Sequence, residues 1–242
     1  MIAVLREYIK IRIKLVQLTG LTILMVILVL SIDDAFEVWM YNMLFLFSSF
    51  IVFRFFDDAF SVEIDRKEHP ERSYLIPVKF KAFKKVTTIV IGIYLLGAGF
   101  VFPTAFLTIL LLLFSSFGLY LLLSKQLLLQ RLIPLLKYPV LLFCVSIISN
   151  YDGKPEVFLS SFLLMAGYDS FDAVKRNPKH IWKPVTLLFC CSILLFKPWW
   201  NYINILFCLA PLLIIYMIRY KRITSYFSIL FFPITYFILT QL

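Results

Sequence analysis

The sequence predicts an all-α polytopic membrane protein of about nine transmembrane helices in one domain spanning residues 1–242, and three observations carry that expectation. Hydrophobic residues make up 62% of the 242 and charged residues only 16%, with a mean hydropathy of +0.91; soluble domains run nearer half apolar and a quarter charged. The apolar residues form continuous runs close to the roughly 20 that a membrane-crossing helix needs, without the alternation of a membrane barrel strand. Lys and Arg gather in the breaks between runs, chiefly in every second break. The same numbers exclude a disordered chain, a basic nucleic-acid-binding domain and a soluble enzyme. The net charge of +10 is a topology signal because its carriers sit in short connections.

Taken in order, the spans fall at about 13–31, 36–56, 84–101, 103–123, 132–149, 156–173, 183–197, 199–218 and 223–241. The first follows Arg6, Lys10, Arg12 and Lys14 and has no small-residue cleavage site behind it, so it reads as an uncleaved span and not as a signal peptide. Asp33 and Asp34 separate the first span from the second. Pro103 divides the third from the fourth, and Lys197-Pro198 the seventh from the eighth. These two connections are tight, and eight spans is the alternative count. With nine, the N-terminal segment and every second connection hold 4, 8, 3, 4 and 3 of the Lys and Arg residues, leaving only Lys154 and Lys197 opposite. That alternation puts the N-terminus in the cytoplasm and the C-terminus outside.

Cys144, Cys190, Cys191 and Cys208 lie in apolar runs with no CxxC or Cys/His spacing and read as packing residues. Gly92, Gly97 and Gly99 lie inside a span and predict close helix packing, not a phosphate loop. Trp182, Trp199 and Trp200 read as interfacial anchors, and His69 and His180 as loop residues. Lys137, before Tyr138-Pro139, either orients an anionic substrate or snorkels to the interface.

The acidic residues do not follow the positive-inside pattern, and two clusters fall on the basic side. The first, after span two, contains Arg54, Asp57, Asp58, Ser61, Asp65, Arg66, Lys67 and Arg72. If the helix continues through it, Asp57, Asp58 and Asp65 share an arc of about 100°. Carboxylates so close repel unless cations lie among them. Mg2+, which takes a few carboxylate oxygens and completes its octahedron with water and phosphate, is the expected cation. Arg66, Lys67 and Arg72 are suited to hold the phosphates. The second cluster, ending span six, places Asp169, Asp172 and Arg176 on one helical face, with Lys175 beside them and Pro178 beyond. Either cluster alone reads more readily as a solvated turn; two on one side of an apolar chain point to function.

The layout resembles the UbiA superfamily of intramembrane prenyltransferases: nine helices, with acidic motifs after the second and the sixth. The local likeness is to bacterial members whose first motif runs Arg-x-x-Asp-(Glu/Asp)-x-x-Asp-x-x-x-Asp with a His-Pro-x-Arg-Pro-like tail. Here it is carried by Arg54, Asp57, Asp58, Ser61, Asp65 and His69-Pro70-Glu71-Arg72. Ser61 stands where the family has its central Asp, Ser73 where it has Pro, and the second motif is Asp-x-x-Asp instead of Asp-x-x-x-Asp. The resemblance implies an enzyme of the inner membrane that uses Mg2+ to move a prenyl group from a prenyl diphosphate to an aromatic or other lipophilic acceptor. It implies catalytic Asp57, Asp65 and Asp169, and metal ligands Asp57, Asp65, Asp169 and Asp172, with Asp58 replacing the missing carboxylate. The diphosphate would lie on Arg66, Lys67, Arg72, Lys175 and Arg176. Ionisation of the diphosphate would leave an allylic cation in a water-excluding chamber beside aromatic faces. A terpene cyclase using the same ionisation, and a degenerate relative that binds a lipid or protein, are the alternatives. A transporter would want more ionisable residues within its spans, and a CDP-alcohol phosphotransferase an Asp-Gly start that neither cluster has. No nucleic-acid partner is expected.

Overall fold

The structure, a computed structural model, describes residues 2–68, 72–124, 126–176, 181–197, 207, 209 and 226–241. Every element among these is helical. The helices are α1 (Ile2–Arg12), α2 (Leu15–Val26), α3 (Phe36–Phe60), α4 (Val62–Glu68), a 3-10 turn (Ser73–Leu75), α5 (Pro77–Val101), α6 (Pro103–Leu122), α7 (Leu127–Gln130), α8 (Ile133–Ser149), α9 (Pro155–Arg176), α10 (Trp182–Phe196) and α11 (Tyr226–Gln241). Three of them, α3, α5 and α6, are long and apolar enough to cross a membrane. Helices α2, α8 and α10 are apolar and shorter. Helices α9 and α11 fall on the expected sixth and ninth spans. The expected eighth span, 199–218, lies outside the described residues apart from Phe207 and Leu209.

Helix ends depart from the expected spans for a common reason: hydropathy marks where a helix is apolar, whereas propensity and capping set where it stops. Helix α3 runs past 56 to Phe60 and carries Asp57 and Asp58 in its last turn. Helix α5 opens at Pro77, ahead of 84, because proline suits the first helical position and the Lys-rich turn that follows is a good helix former. Helices α5 and α6 meet at Phe102, where Pro103 starts the second of the pair.

The chain groups into two compact units, residues 1–22 with 40–137, and residues 23–39 with 138–242. In the first, α3 and α5 run antiparallel: the Tyr41 hydroxyl donates to the Val101 carbonyl at one end, Ser49 and Tyr94 share a hydrogen bond of 2.6 Å midway, and Phe55 stacks on Phe83 near the other. The core around Phe55 and Phe83 draws in Val4 and Tyr8 from α1 and Tyr74 and Leu75 from the 3-10 turn. Val4, Tyr8 and Arg12, spaced i, i+4 and i+8, form the inward face of α1. The expected close packing at Gly92 and Gly97 is not found among the described residues: a Cβ there meets none of them within 4 Å, and one at Gly99 makes ordinary contact with Phe106.

In the second unit, α9 and α10 form an antiparallel hairpin. Lys197 pairs with Glu156 at 2.8 Å, Cys191 contacts the Ser160 carbonyl, and Gly167 lies against Leu188. Cys144 and Cys191 are buried as expected, and Cys190 is exposed on the apolar α10. Trp39 packs edge-on against Phe237 of α11, and Tyr151 donates to Asp34 at 2.8 Å.

Candidate functional site

The first acidic cluster forms where α3 passes into α4. The helical path breaks at Ser61, yet the amide ladder continues across it, from Ser61 to the Asp57 carbonyl (2.7 Å) and from Asp65 to the Ser61 carbonyl (3.0 Å). Asp57, Asp58 and Asp65 are all buried, at 7%, 3% and 8% exposure. Ionised carboxylates tolerate such burial only when paired and hydrogen-bonded, and all three are.

Asp57 accepts from Lys137 Nζ of α8 at 2.5 Å and from the Tyr120 hydroxyl of α6 at 3.2 Å. Asp58 takes both forks of the Arg12 guanidinium, Nε at 2.7 Å and Nη2 at 2.6 Å, together with the Tyr8 hydroxyl at 2.8 Å. Arg54, one turn earlier on α3, brings its Nε to 3.6 Å from the same carboxylate. Asp65 accepts from Arg72 Nη1 at 2.5 Å and from the Tyr74 hydroxyl at 3.1 Å. Each aspartate thus holds one close cation and one tyrosine hydroxyl. The expected single acidic face is divided: Asp57 and Asp58, adjacent on α3, point about 100° apart, and Asp65 lies beyond the break at Ser61. Asp57 turns toward α6 and α8, Asp58 toward α1, and Asp65 toward the chain leading into α5.

The electrostatics of the flanking groups follow from this pairing. Burial and then the negative charge of Asp58 push the Tyr8 and Tyr74 phenols well above the usual tyrosine value, so both remain donors at neutral pH. Burial opposes the charge on Arg12, but the hydrogen bond to Asp58 together with the negative charge of Asp58 and its neighbours outweighs that and holds the guanidinium above its ordinary value.

These residues do not fit a Mg2+ ion as they are arranged. Mg2+ needs free carboxylate oxygens at about 2.1 Å, whereas Asp58 has both oxygens committed to one arginine, and Asp57 and Asp65 each carry a cation at 2.5 Å. Among the described residues, no three His, Cys, Asp or Glu side chains group as a metal site would require.

Of the other expected site residues, Arg66 is exposed on α4 with its guanidinium 5.7 Å from the centre of the Phe80 ring. Asp169 is exposed on α9. Asp172, Lys175 and Arg176 belong to α9 and Lys67 to α4, but their side chains lie outside the described residues, as do His69 and His180 altogether. Trp182 is exposed, and Trp199 and Trp200 fall outside the described residues. Sequence reasoning missed Tyr8, Tyr74 and Tyr120 and counted Arg12 only toward topology. The signal available for two of them was the i, i+4 spacing of Tyr8 and Arg12 on the buried face of α1. For Lys137, which is 6% exposed and bound to Asp57, the structure decides against snorkelling.

An aromatic wall adjoins the cluster. Phe60 packs on Phe56 (4.7 Å between ring centres), Phe117 (5.3 Å) and Tyr120 (6.0 Å), and Tyr120 is the residue that donates to Asp57. No known family's sequence profile matches the chain, and no curated protein and no solved structure does either.

Proposed function

We propose that the chain is an intramembrane prenyltransferase of the UbiA kind, moving a prenyl group from a prenyl diphosphate to a lipophilic acceptor. The observation that carries this reading is the adjacency, inside one apolar helical unit, of a buried charged cluster and an aromatic wall joined through Tyr120. A prenyl diphosphate has those two halves: an anionic head that basic side chains recognise, and an apolar tail whose allylic carbon becomes positive as the head departs, where aromatic faces stabilise it. Arg12, Arg54, Arg72 and Lys137 would receive the charge that develops on the departing head. Asp169, Asp172, Lys175 and Arg176 enter the proposal from the sequence resemblance alone. The nine-span count and the cytoplasmic N-terminus enter it from the apolar runs and the charge alternation of the sequence, and the inner-membrane location from the resemblance.

The test is turnover of labelled prenyl diphosphates of several chain lengths by the protein in lipid nanodiscs, with and without Mg2+, with extracted products resolved by chromatography. Prenylated acceptor is expected, and Asp57→Asn and Asp172→Asn should each reduce it at least tenfold. Cyclic hydrocarbon products in place of prenylated acceptor would identify the cyclase variant.

A second reading, a relative that binds an anionic lipid without turning it over, is favoured by the close cation on every aspartate of the cluster. Binding of prenyl diphosphate with no product at any chain length would establish it in place of the first.

A further inference from the structure

The cluster holds four basic side chains, Arg12, Arg54, Arg72 and Lys137, against three carboxylates, Asp57, Asp58 and Asp65. Among the described residues the basic groups outnumber the carboxylates by one. Three of the cations have a carboxylate oxygen at 2.5 or 2.6 Å. Arg54 does not: its nearest carboxylate oxygen is at 3.6 Å, and its buried Nε has no hydrogen-bond acceptor. Asp58 does not supply one: its Oδ2, the oxygen nearest Arg54 Nε, already accepts from Arg12 and Tyr8. The Arg54 side chain is nonetheless 42% exposed, so its guanidinium can be reached from outside the cluster.

A charged donor lacking an acceptor repels a divalent cation and attracts an anion. Phosphate oxygens match the guanidinium fork.

We infer that Asp57, Asp58 and Asp65 are counter-ions that hold Arg12, Arg54, Arg72 and Lys137 in place, and that a phosphate or diphosphate group binds at Arg54 without Mg2+. This deepens the reading above and rests on the same cluster, but it reverses the part given to the aspartates. They position the cations instead of ligating a metal. The shared ligand chemistry is a phosphoryl anion, carried either by a prenyl diphosphate or by a phospholipid headgroup.

The test is isothermal titration of the full chain, in nanodiscs of zwitterionic lipid, with inorganic pyrophosphate in EDTA and again in excess Mg2+. Binding in EDTA within about threefold of that in Mg2+ is expected. Arg54→Gln should weaken it by about tenfold or more, the range expected for loss of a charge-assisted fork. Lys85→Gln, a basic residue outside the cluster, should leave it unchanged. Arg54→Lys, which keeps the charge and loses the fork, should fall between wild type and Arg54→Gln, and serves as the check should the glutamine variant unfold. Asp58→Asn separates the two roles: it keeps the side chain's size and its oxygen toward Arg12 while removing a negative charge, so binding in EDTA should persist, whereas loss of a metal ligand would abolish binding that depends on Mg2+.

Binding seen only with Mg2+ and lost in Asp58→Asn overturns the inference and leaves the prenyltransferase reading standing. Absence of binding in either condition overturns both. Parallel titrations with a C15 prenyl diphosphate and a short-chain phosphatidic acid, both in EDTA, distinguish the sources. Preference for phosphatidic acid upholds the metal-free phosphate site and counts against prenyl transfer.

Discussion

The pairing of Asp57 with Lys137 is the interaction on which the site's residue-level energetics turn most directly. Both side chains are buried and touch at 2.5 Å, and Tyr120 satisfies the other carboxylate oxygen. Removing one member of such a pair strands the other charge away from water, at a cost of about 3–5 kcal/mol. Lys137→Met should therefore lower stability by about that amount, measured as a fall in the thermal midpoint in detergent. The double variant Asp57→Asn with Lys137→Met should recover part of the loss, since it removes both charges of the pair. A double variant no more stable than Lys137→Met would show that the pair is not coupled as described. Legibility was uneven at this scale. Asp57, Asp58 and Asp65 stood out in the sequence because carboxylates are rare in so apolar a chain. Their partners did not, since Tyr8, Arg12, Tyr120 and Lys137 lie 46 to 80 positions away from the aspartates they meet.

Helices were legible in kind and less so in extent. Runs of apolar residues predicted where α3, α5, α6, α8, α9, α10 and α11 lie, because each helix must bury or expose to lipid about the length those runs provide. The ends moved because Asp57 and Asp58 remain helical when paired and because Pro77 starts a helix well outside the apolar stretch. The α9–α10 hairpin shows what sequence patterning leaves out. A Cβ at Gly167 would stand 3.0 Å from Leu188 Cδ2 and 3.6 Å from Leu187 Cβ. Gly167→Ala asks that the Leu188 side chain, whose Cγ stands at 3.1 Å, give by a few tenths of an ångström. Gly167→Val has no such escape and should destabilise the protein by about 1–3 kcal/mol, the range for overpacking. Thermal unfolding of the two variants side by side checks it, and equal midpoints for alanine and valine would contradict the close approach. Gly92, Gly97 and Gly99, the glycines the sequence singled out, face no such neighbour among the described residues; composition reports that a backbone can be approached, not that it is.

Across the whole molecule the charge pattern remains the main guide to topology. With an odd number of spans the C-terminus lies opposite the basic N-terminal segment. An alkaline phosphatase fusion at Leu242 should then be active outside the cytoplasm and a green fluorescent fusion dark, whereas eight spans reverse both signals. By itself the sequence determined that this is a helical, membrane-type chain with two acidic clusters. Those properties depend on how much apolar surface there is and in what runs, which is a local count. Only the tertiary structure decided that the three aspartates of the first cluster turn to different neighbours, that each meets a cation and a tyrosine hydroxyl, and that Arg54 is left without an acceptor. The physical reason is that a buried charge is defined by what packs against it. Those partners come from α1, α6, α8 and the segment before α5, brought together by folding and not by spacing along the chain.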